Sequence, residues 1–346
     1  MAKARGVGEC TIRLTNSLNV LPDFFNLICG SNSIAFTILP ASLYELSWVW
    51  LTLLSALALG VYEVAKKTSV RDNPVAPVLY LNAAVCALFW LPFVLWSWWS
   101  PGTIPFSMLI VQSLNATEHF ALFVKSLIVG ASWSLAYFAV KQLPISISGP
   151  IRATSPFWTI LFATIVLNEH PAGLQWIGMG IVLISFYTFS LVGRLEGIHF
   201  YRDKWVGLMM LATLLAAVSS LYDKYLLQNM ALDPPTVQAW FSIYLLIALL
   251  PVLLYWRFVD TSSVVFQWRW SIAMIAISLL VADFLYFTAI AQPGALISVI
   301  STLRRTSIVV SFLVGIIVMG EKNFRQKAIC ITVILLGVAL VTLGRR

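Results

Sequence analysis

Two arginines lie where an apolar membrane helix is expected, and their chemistry is the first question that the sequence raises. Arg304 and Arg305 stand in "LRRTS", between the apolar runs "GALISVIST" and "IVVSFLVGIIVMG". A charged side chain at the centre of a membrane helix costs about 2.5–3.5 kcal/mol on insertion scales, so it usually faces a partner or a cavity. A guanidinium is planar and matches a carboxylate or a phosphate. The residue type therefore favours either an internal ion pair or the binding of an anion.

A second arginine segment repeats this pattern. "IRATSPFWTILFATIVLNE" aligns with "LRRTSIVVSFLVGIIVMGE" without gaps, so that Arg152 corresponds to Arg304 and Glu169 to Glu321. At helical spacing each arginine belongs to a polar stripe on one side of its helix, which is a candidate substrate-binding surface. Internal pairing, or for Arg152 a position near the headgroups, is the alternative. The stripes comprise Ser148, Arg152, Ser155 and Thr159 in one segment, and Arg304, Ser307 and Ser311 in the other.

One acidic residue is the main candidate partner for these arginines. Asp283 lies deep in "SLLVADFLYFTAI" with no basic neighbour in sequence, so we expect it to pair with an arginine or to carry a proton. Arg305 lies about 100° round the helix from Arg304, and the two side chains cannot point the same way. We predict that Arg304 binds the substrate and that Arg305 pairs with an internal partner such as Asp283.

Other acids lie nearer the ends of the apolar runs. Glu63 and Asp223 are candidates for coupling or for an internal ion pair, and the neighbouring Lys66 and Lys224 could neutralise them. Glu169 and its counterpart Glu321 end their segments, where we expect each carboxylate to fix a loop or cap the next helix rather than touch the substrate.

Further matches extend the repeat over most of the chain. "LAYFAV" corresponds to "FLYFTA", which places Tyr137 opposite Tyr286, and we expect both rings to line a cavity wall. "VYEVAKK" resembles "LYDKYLL", which places Glu63 opposite Asp223. Each copy contains five predicted helices, and an odd number makes the second copy cross the membrane in the opposite sense. Such inverted repeats hold a substrate site between the two halves.

The elements that must position these residues are membrane helices. The chain is 60% hydrophobic and only 10% charged, where a soluble domain carries about a quarter of charged residues. We predict an all-α polytopic membrane protein of ten transmembrane helices, arranged as two inverted five-helix repeats. The predicted spans are 47–66, 77–98, 119–140, 146–168, 172–193, 205–228, 235–256, 269–290, 295–319 and 326–343.

Three regions follow from this reading of the chain. Residues 47–193 would form the first repeat and residues 205–343 the second. Residues 1–46 mix polar and apolar types, and Pro22 and Pro40 interrupt any helix there. We expect this N-terminal extension to be disordered, to lie on a surface, or to result from a start codon that was assigned too early.

The repeated helix resembles the fourth helix of the EamA-type branch of the drug/metabolite transporter superfamily. The resemblance rests on R-x-T-S at the start of the helix and an acidic residue at its end, and it covers roughly residues 47–343. The family pattern Gly-Glu is present as Gly320-Glu321, whereas the first copy has Asn168-Glu169. The resemblance implies a transporter of amino acids, other metabolites or drugs, or, in related branches, of nucleotide sugars or phosphorylated sugars.

We therefore predict a secondary transporter that moves a small anionic or zwitterionic metabolite by alternating access. A lipid-linked sugar flippase of the same superfamily is one alternative, and a receptor or structural membrane protein is another. The expected location is the cell membrane (plasma or inner membrane), with the protein as a monomer or homodimer. The expected partners are the substrate and the lipid bilayer.

Other classes of function lack support in the sequence. No GxSxG, HExxH or Gly-rich phosphate loop is present, so we expect no enzymatic activity. The four cysteines and three histidines lack metal-ligand spacing, and we expect neither a metal nor a cofactor. The net charge of +8 comes mostly from short loops between spans, where membrane topology explains it without nucleic acid.

Overall fold

The computed structural model describes residues 41–70, 73–142, 151–152, 154–191, 204–259, 265–307, 310 and 324–344. These residues form ten α-helices and short turns, and no strand occurs among them. The helices are α1 (Ala41–Val70), α2 (Val75–Trp99), α3 (Ala116–Gln142), α4 (Ser155–Val166), α5 (Gly173–Leu191), α6 (Lys204–Lys224), α7 (Pro234–Phe258), α8 (Trp270–Ala291), α9 (Ile297–Arg304) and α10 (Phe324–Leu343).

Each predicted span contains one of these helices. Six helices in the described part of the chain are long and apolar enough to cross a membrane, namely α1, α2, α3, α6 with the π-turn that follows it, α7 and α8. A run of about 20 apolar residues forms a helix in lipid because every backbone polar group is then satisfied within the segment. The described part of the chain is therefore all-helical, and the chain is a multi-pass membrane protein. Most of the N-terminal extension, residues 1–40, lies outside the described residues, as do Ser148, Ser311 and Glu321.

Helices of the first half pack mainly on helices of the second half. The largest contacts join α1 to α8, α5 to α10, α3 to α6, and α2 to α7, while α4 packs against α6 and α9. The α5–α10 contact depends on glycine, because a Cβ added at Gly178 would lie 2.7 Å from the carbonyl oxygen of Gly337. Small residues let two membrane helices approach this closely.

Hydrogen bonds tie the helix ends together at one end of the bundle, which we call the Asn73 end. The Asn73 side chain donates to the backbone carbonyl of Gln267 at 2.8 Å and accepts from the backbone N–H of Gln267 at 2.9 Å. Ser69 and Ser271 share a hydrogen bond of 2.6 Å. The α1–α2 turn is thereby joined to the start of α8.

The opposite end, which we call the Glu169 end, is joined by one buried carboxylate. Glu169 follows α4 and accepts from the N–H of Ile297 at 2.7 Å and from the Ser298 hydroxyl at 2.6 Å. Lys224 of α6 lies 2.6 Å from the same carboxylate. Glu169 therefore caps α9, whose free N–H groups favour a negative charge. The sequence predicted that Glu169 fixes a loop or caps the next helix along the chain, which is α5. The carboxylate does cap a helix, but that helix is α9 of the second half.

Candidate functional site

Apart from the Glu169–Lys224 pair, charged side chains inside the described part of the bundle form two clusters, of which one is closed and neutral. The closed cluster consists of Lys125, Asp223, Asp283, Tyr286 and Arg304. Lys125 of α3 and Asp223 of α6 form an ion pair in which the two side chains are only 2% and 6% exposed. The Tyr286 hydroxyl donates to the second Asp223 oxygen at 3.2 Å. The ring centroids of Phe241 and Phe287 lie 4.5 and 4.6 Å from the Lys125 ammonium, so cation–π attraction adds to the ion pair.

A second ion pair completes the closed cluster. Nη2 of Arg304 donates to Oδ1 of Asp283 at 2.8 Å, and the guanidinium carbon lies 3.9 Å from the ring centroid of Tyr286. Tyr286 thus contacts both ion pairs. Two cations face two carboxylates, so the closed cluster satisfies its own charges, as buried charges require.

The other cluster is open and carries an excess of positive charge. The open cluster consists of Glu63, Lys66, Arg152 and Arg305, and Tyr137 lies beside it. Lys66 pairs with Glu63 at 2.6 Å, and Nη2 of Arg152 lies 3.8 Å from the other Glu63 oxygen. The latter distance is too long for a hydrogen bond. The Arg152 side chain is 42% exposed, so most of its donors remain available to a ligand.

Arg305 is the third cation of the open cluster. It directly follows α9, and its charged neighbours are Arg152, Arg304 and Glu63. Within the part of the chain that the structure describes, its side chain makes no ion pair. Three cations therefore surround the single carboxylate of Glu63. This arrangement can hold a carboxylate or a phosphate, because guanidinium groups bind both through paired hydrogen bonds.

The predicted partners of the two adjacent arginines are corrected by this geometry. Asp283 pairs with Arg304, and not with Arg305 as predicted. Arg304 ends α9 on the side that faces α8, where Asp283 and Tyr286 lie. The turn of about 100° to the next residue directs Arg305 towards α1 and α4 instead.

A similar correction applies to the neighbours of the acidic candidates. Lys66 neutralises Glu63 as expected, whereas Lys224 pairs with Glu169 and leaves Asp223 to Lys125. Adjacent residues of a helix point in different directions, so proximity in sequence did not identify the partner of Asp223.

The polar stripes lie partly outside the open cluster. Ser155 and Thr159 are buried in α4, and the Thr159 hydroxyl donates to the Ser155 carbonyl at 3.1 Å. Ser307 is half-buried and packs on α1, because a Cβ added at Gly60 would lie 2.8 Å from the Ser307 carbonyl oxygen.

The two predicted wall tyrosines lie in different clusters. Tyr286 belongs to the closed cluster, and Tyr137 lies beside Tyr62 and Glu63 of α1 and beside Arg152, which precedes α4. Tyr137 also lines a cleft on the outer surface of the bundle between α2, α3 and α7. Each tyrosine therefore lies beside one cluster. The two tyrosines also correspond in structure, because Tyr286 lies next to Arg304 and Tyr137 lies next to Arg152.

Sequence reasoning missed Lys125, although a signal was present. Lys125 lies in "ALFVKSLIVG", nine residues after the first residue of α3, and a lysine at that depth must be paired or face a cavity.

Comparisons with known proteins agree with this architecture. Residues 46–191 match the model of the EamA-like transporter family, which confirms the resemblance over the first predicted repeat. A solved structure described only as a crystal structure of a protein superposes with a TM-score of 0.67 and 16% identity, over 86% of this chain and 96% of that chain. At this identity the likeness concerns the fold alone.

Proposed function

We propose that the chain is a secondary transporter of a small anionic metabolite, which the match of residues 46–191 to the EamA-like transporter family supports. The observation that carries the proposal is the charge of the open cluster. Among the residues that the structure describes, Lys66, Arg152 and Arg305 surround Glu63 and leave two positive charges unbalanced. Unbalanced charge within a membrane protein is costly, and a bound carboxylate or phosphate would lower that cost.

Arg152 and Arg305 are the proposed substrate-binding residues. The Arg152 side chain is 42% exposed, and Arg305 lies beside it without an acidic partner of its own among the described residues. Two guanidinium groups from different halves of the chain could hold one anion between them. Arg304 has a different place in this proposal, because Asp283 already occupies its guanidinium.

Two inverted five-helix repeats are part of the proposal, and the helix contacts support them. In two equivalent halves, each helix can be exchanged for its counterpart in the other half, α1 for α6, α2 for α7 and so on. This exchange converts the α1–α8 contact into α6–α3, and the α4–α6 contact into α9–α1. The same exchange leaves α2–α7, α4–α9 and α5–α10 unchanged. All of these contacts occur in the structure, as two equivalent halves require. Transporters of this type place the substrate site between their halves.

The difference between the two ends of the bundle supports alternating access. The Glu169 end is joined by the cap on α9 and by Lys224. The open cluster lies towards the Asn73 end, since Glu63 and Lys66 belong to the last two turns of α1. The hydrogen bonds of Ser69 and Asn73 at that end join the α1–α2 turn to the start of α8, and they do not bridge α1 to α4 or α9 across the open cluster. We propose that the Asn73 end admits the substrate in this conformation. The contacts of Glu169 would then break when the Glu169 end opens.

Uptake into proteoliposomes tests the function. A thermal-stability screen of the purified protein with carboxylates and phosphorylated sugars would first identify a binder, because a ligand stabilises the state that it binds. Arg152→Gln and Arg305→Gln should each weaken binding of that anion by about 10–100-fold, the value of one charge-assisted hydrogen bond. Arg257→Gln is a matched control, since Arg257 lies near the end of α7 over Phe258. Full uptake by folded Arg152→Gln and Arg305→Gln variants would show that the anion binds elsewhere.

A lipid-linked anion is a second candidate substrate, favoured by the cleft at Tyr137. The cleft is also lined by Phe138 and Tyr255, which are 39% and 52% exposed on the outer surface of the bundle. A lipid tail could lie there while its phosphate contacts the open cluster. Flipping of a fluorescent polyprenyl phosphate in proteoliposomes, lost on Arg152→Gln, would support this candidate, and uptake of soluble anions alone would exclude it.

A further inference from the structure

A small polar cavity lies between α2, α7 and α8, beside the closed cluster. It measures about 10 Å³, which is room for one water-sized particle. Its polar wall consists of Asn82 from α2, Gln238 and Ser242 from α7, and Asp283 from α8, and most of the remaining wall is apolar. None of these residues belongs to the open cluster, so the cavity is separate from the proposed substrate site.

Two amide oxygens in this wall lack hydrogen-bond partners. Asn82 Oδ1 and Gln238 Oε1 are both buried without a partner, and each residue is only 2% exposed. The orientation of the Gln238 amide is set by its other atom, because Nε2 donates to the Leu280 carbonyl at 2.7 Å. The oxygen is therefore the free end of that amide. Buried acceptors without partners are rare in native proteins and indicate a missing water or ion.

The donor set of the cavity matches a hard monovalent cation. Two neutral amide oxygens and one carboxylate are oxygen ligands of the kind that hard cations prefer. The single carboxylate is also shared with Arg304, so the local negative charge is low for a divalent ion. We infer that this cavity binds a monovalent cation, Na⁺ in particular, through Asn82, Gln238 and Asp283.

The position of Asp283 would link this cation to the substrate, and this link rests on the proposed function. A cation in the cavity competes with Arg304 for the same carboxylate. Once the cation neutralises Asp283, the guanidinium of Arg304, whose Nε has no partner, is released to join Arg305 in binding an anion. Cation and anion then enter together with balanced charge. The link predicts cotransport of Na⁺ with the substrate.

Thermal unfolding of the purified full-length protein without substrate tests the cation site. We expect NaCl to raise Tm by roughly 2–4 °C, with saturation, relative to choline chloride at equal ionic strength. Asn82→Leu and Gln238→Leu replace an amide by an apolar group of similar size, and each should abolish the rise. Gln175→Leu is the matched control, because Gln175 is also buried but its Oε1 accepts from the N–H of Ala172. That variant should keep the rise, whatever its starting Tm.

Two results would overturn the inference. Equal Tm values in NaCl and choline chloride would mean that the cavity holds only water, and this comparison needs no variant to fold. A Na⁺-dependent rise that persists in both cavity variants would place the ion elsewhere. Arg305→Gln separates this test from the proposed function, because it should retain the Na⁺-dependent rise while it loses anion binding.

Discussion

The closed and open clusters contain corresponding residues of the two predicted repeats, yet they differ in net charge. Asp223 and Arg304 of the closed cluster correspond to Glu63 and Arg152 of the open cluster. The closed cluster adds Asp283, which the alignment of "LAYFAV" with "FLYFTA" places opposite Ser134, so Arg304 has a carboxylate of its own. The open cluster lacks this carboxylate and gains Arg305. The comparison indicates that one acidic residue decides whether an arginine is held internally or remains available to a ligand.

The largest difference is expected when an ion pair in each cluster loses one member. Lys125→Met leaves Asp223 buried and unpaired, and we expect a loss of about 3–5 kcal/mol in the free energy of unfolding. Lys66→Met affects a pair whose Glu63 side chain is 30% exposed, and we expect a loss of at most about 1 kcal/mol. Denaturant unfolding of both variants in detergent measures the two values.

The double variant Lys125→Met/Asp223→Asn serves as the control for the closed cluster. Removing both charges eliminates the unpaired ion, and an asparagine can still accept the hydrogen bond from Tyr286. Stability should return to within about 1–2 kcal/mol of the natural protein. Equal losses for Lys66→Met and Lys125→Met would show that the two clusters do not differ in burial.

The adjacent arginines offer a second, smaller contrast. Arg304→Gln breaks the pair with Asp283 and the contact with Tyr286, so we expect a loss of about 1.5–3 kcal/mol in stability. Arg305→Gln removes a cation that has no acidic partner among the described residues, so we expect a change of less than about 1 kcal/mol. The same unfolding measurement, paired with anion binding, separates the roles, since Arg305→Gln should weaken anion binding while it preserves stability. A reversed order of the two stability losses would contradict the assignment.

The helices could be predicted from the sequence, because a membrane span depends mainly on a local run of apolar residues. Each described helix overlaps one predicted span, and most helix ends lie within a few residues of the predicted ends. Helices α4 and α9 are shorter than their predicted spans in the described part of the chain. The arginine correspondence was also visible, since two matching segments lie at a constant separation. These features are local or repetitive, and the sequence carries them directly.

The ion pairs could not be predicted in the same way. The partner of a buried charge depends on which helix faces it, and α3 packs on α6 through contacts between residues almost 100 positions apart, as in Lys125 and Asp223. Glu169 caps α9 across a separation of 128 positions. A charged residue in the middle of an apolar span indicates that a partner is needed, but only the packing of the helices decides which residue that partner is.

The last prediction converts the open cluster into a copy of the closed one. Ser134 lies one turn before Tyr137 on the same face of α3, and its hydroxyl only donates to the Gly130 carbonyl of its own helix at 2.6 Å. Ser134→Asp would supply the carboxylate that Asp283 supplies to Arg304. We expect anion binding to weaken about 10-fold, because Arg152 gains an internal partner that competes with the substrate. Stability should change by less than about 1 kcal/mol, since the new pair stays partly exposed.

Ser134→Asn is the matched variant for this prediction, because it has nearly the same size as aspartate and carries no charge. Anion binding should remain near that of the natural protein in Ser134→Asn and fall only in Ser134→Asp, as measured by the ligand-dependent rise in Tm. Equal binding by both variants would mean that Ser134 does not face Arg152 as Asp283 faces Arg304. The correspondence between the two halves would then hold for the sequence and the helix contacts but not for the site, and the open cluster would owe its excess charge to Arg305 alone.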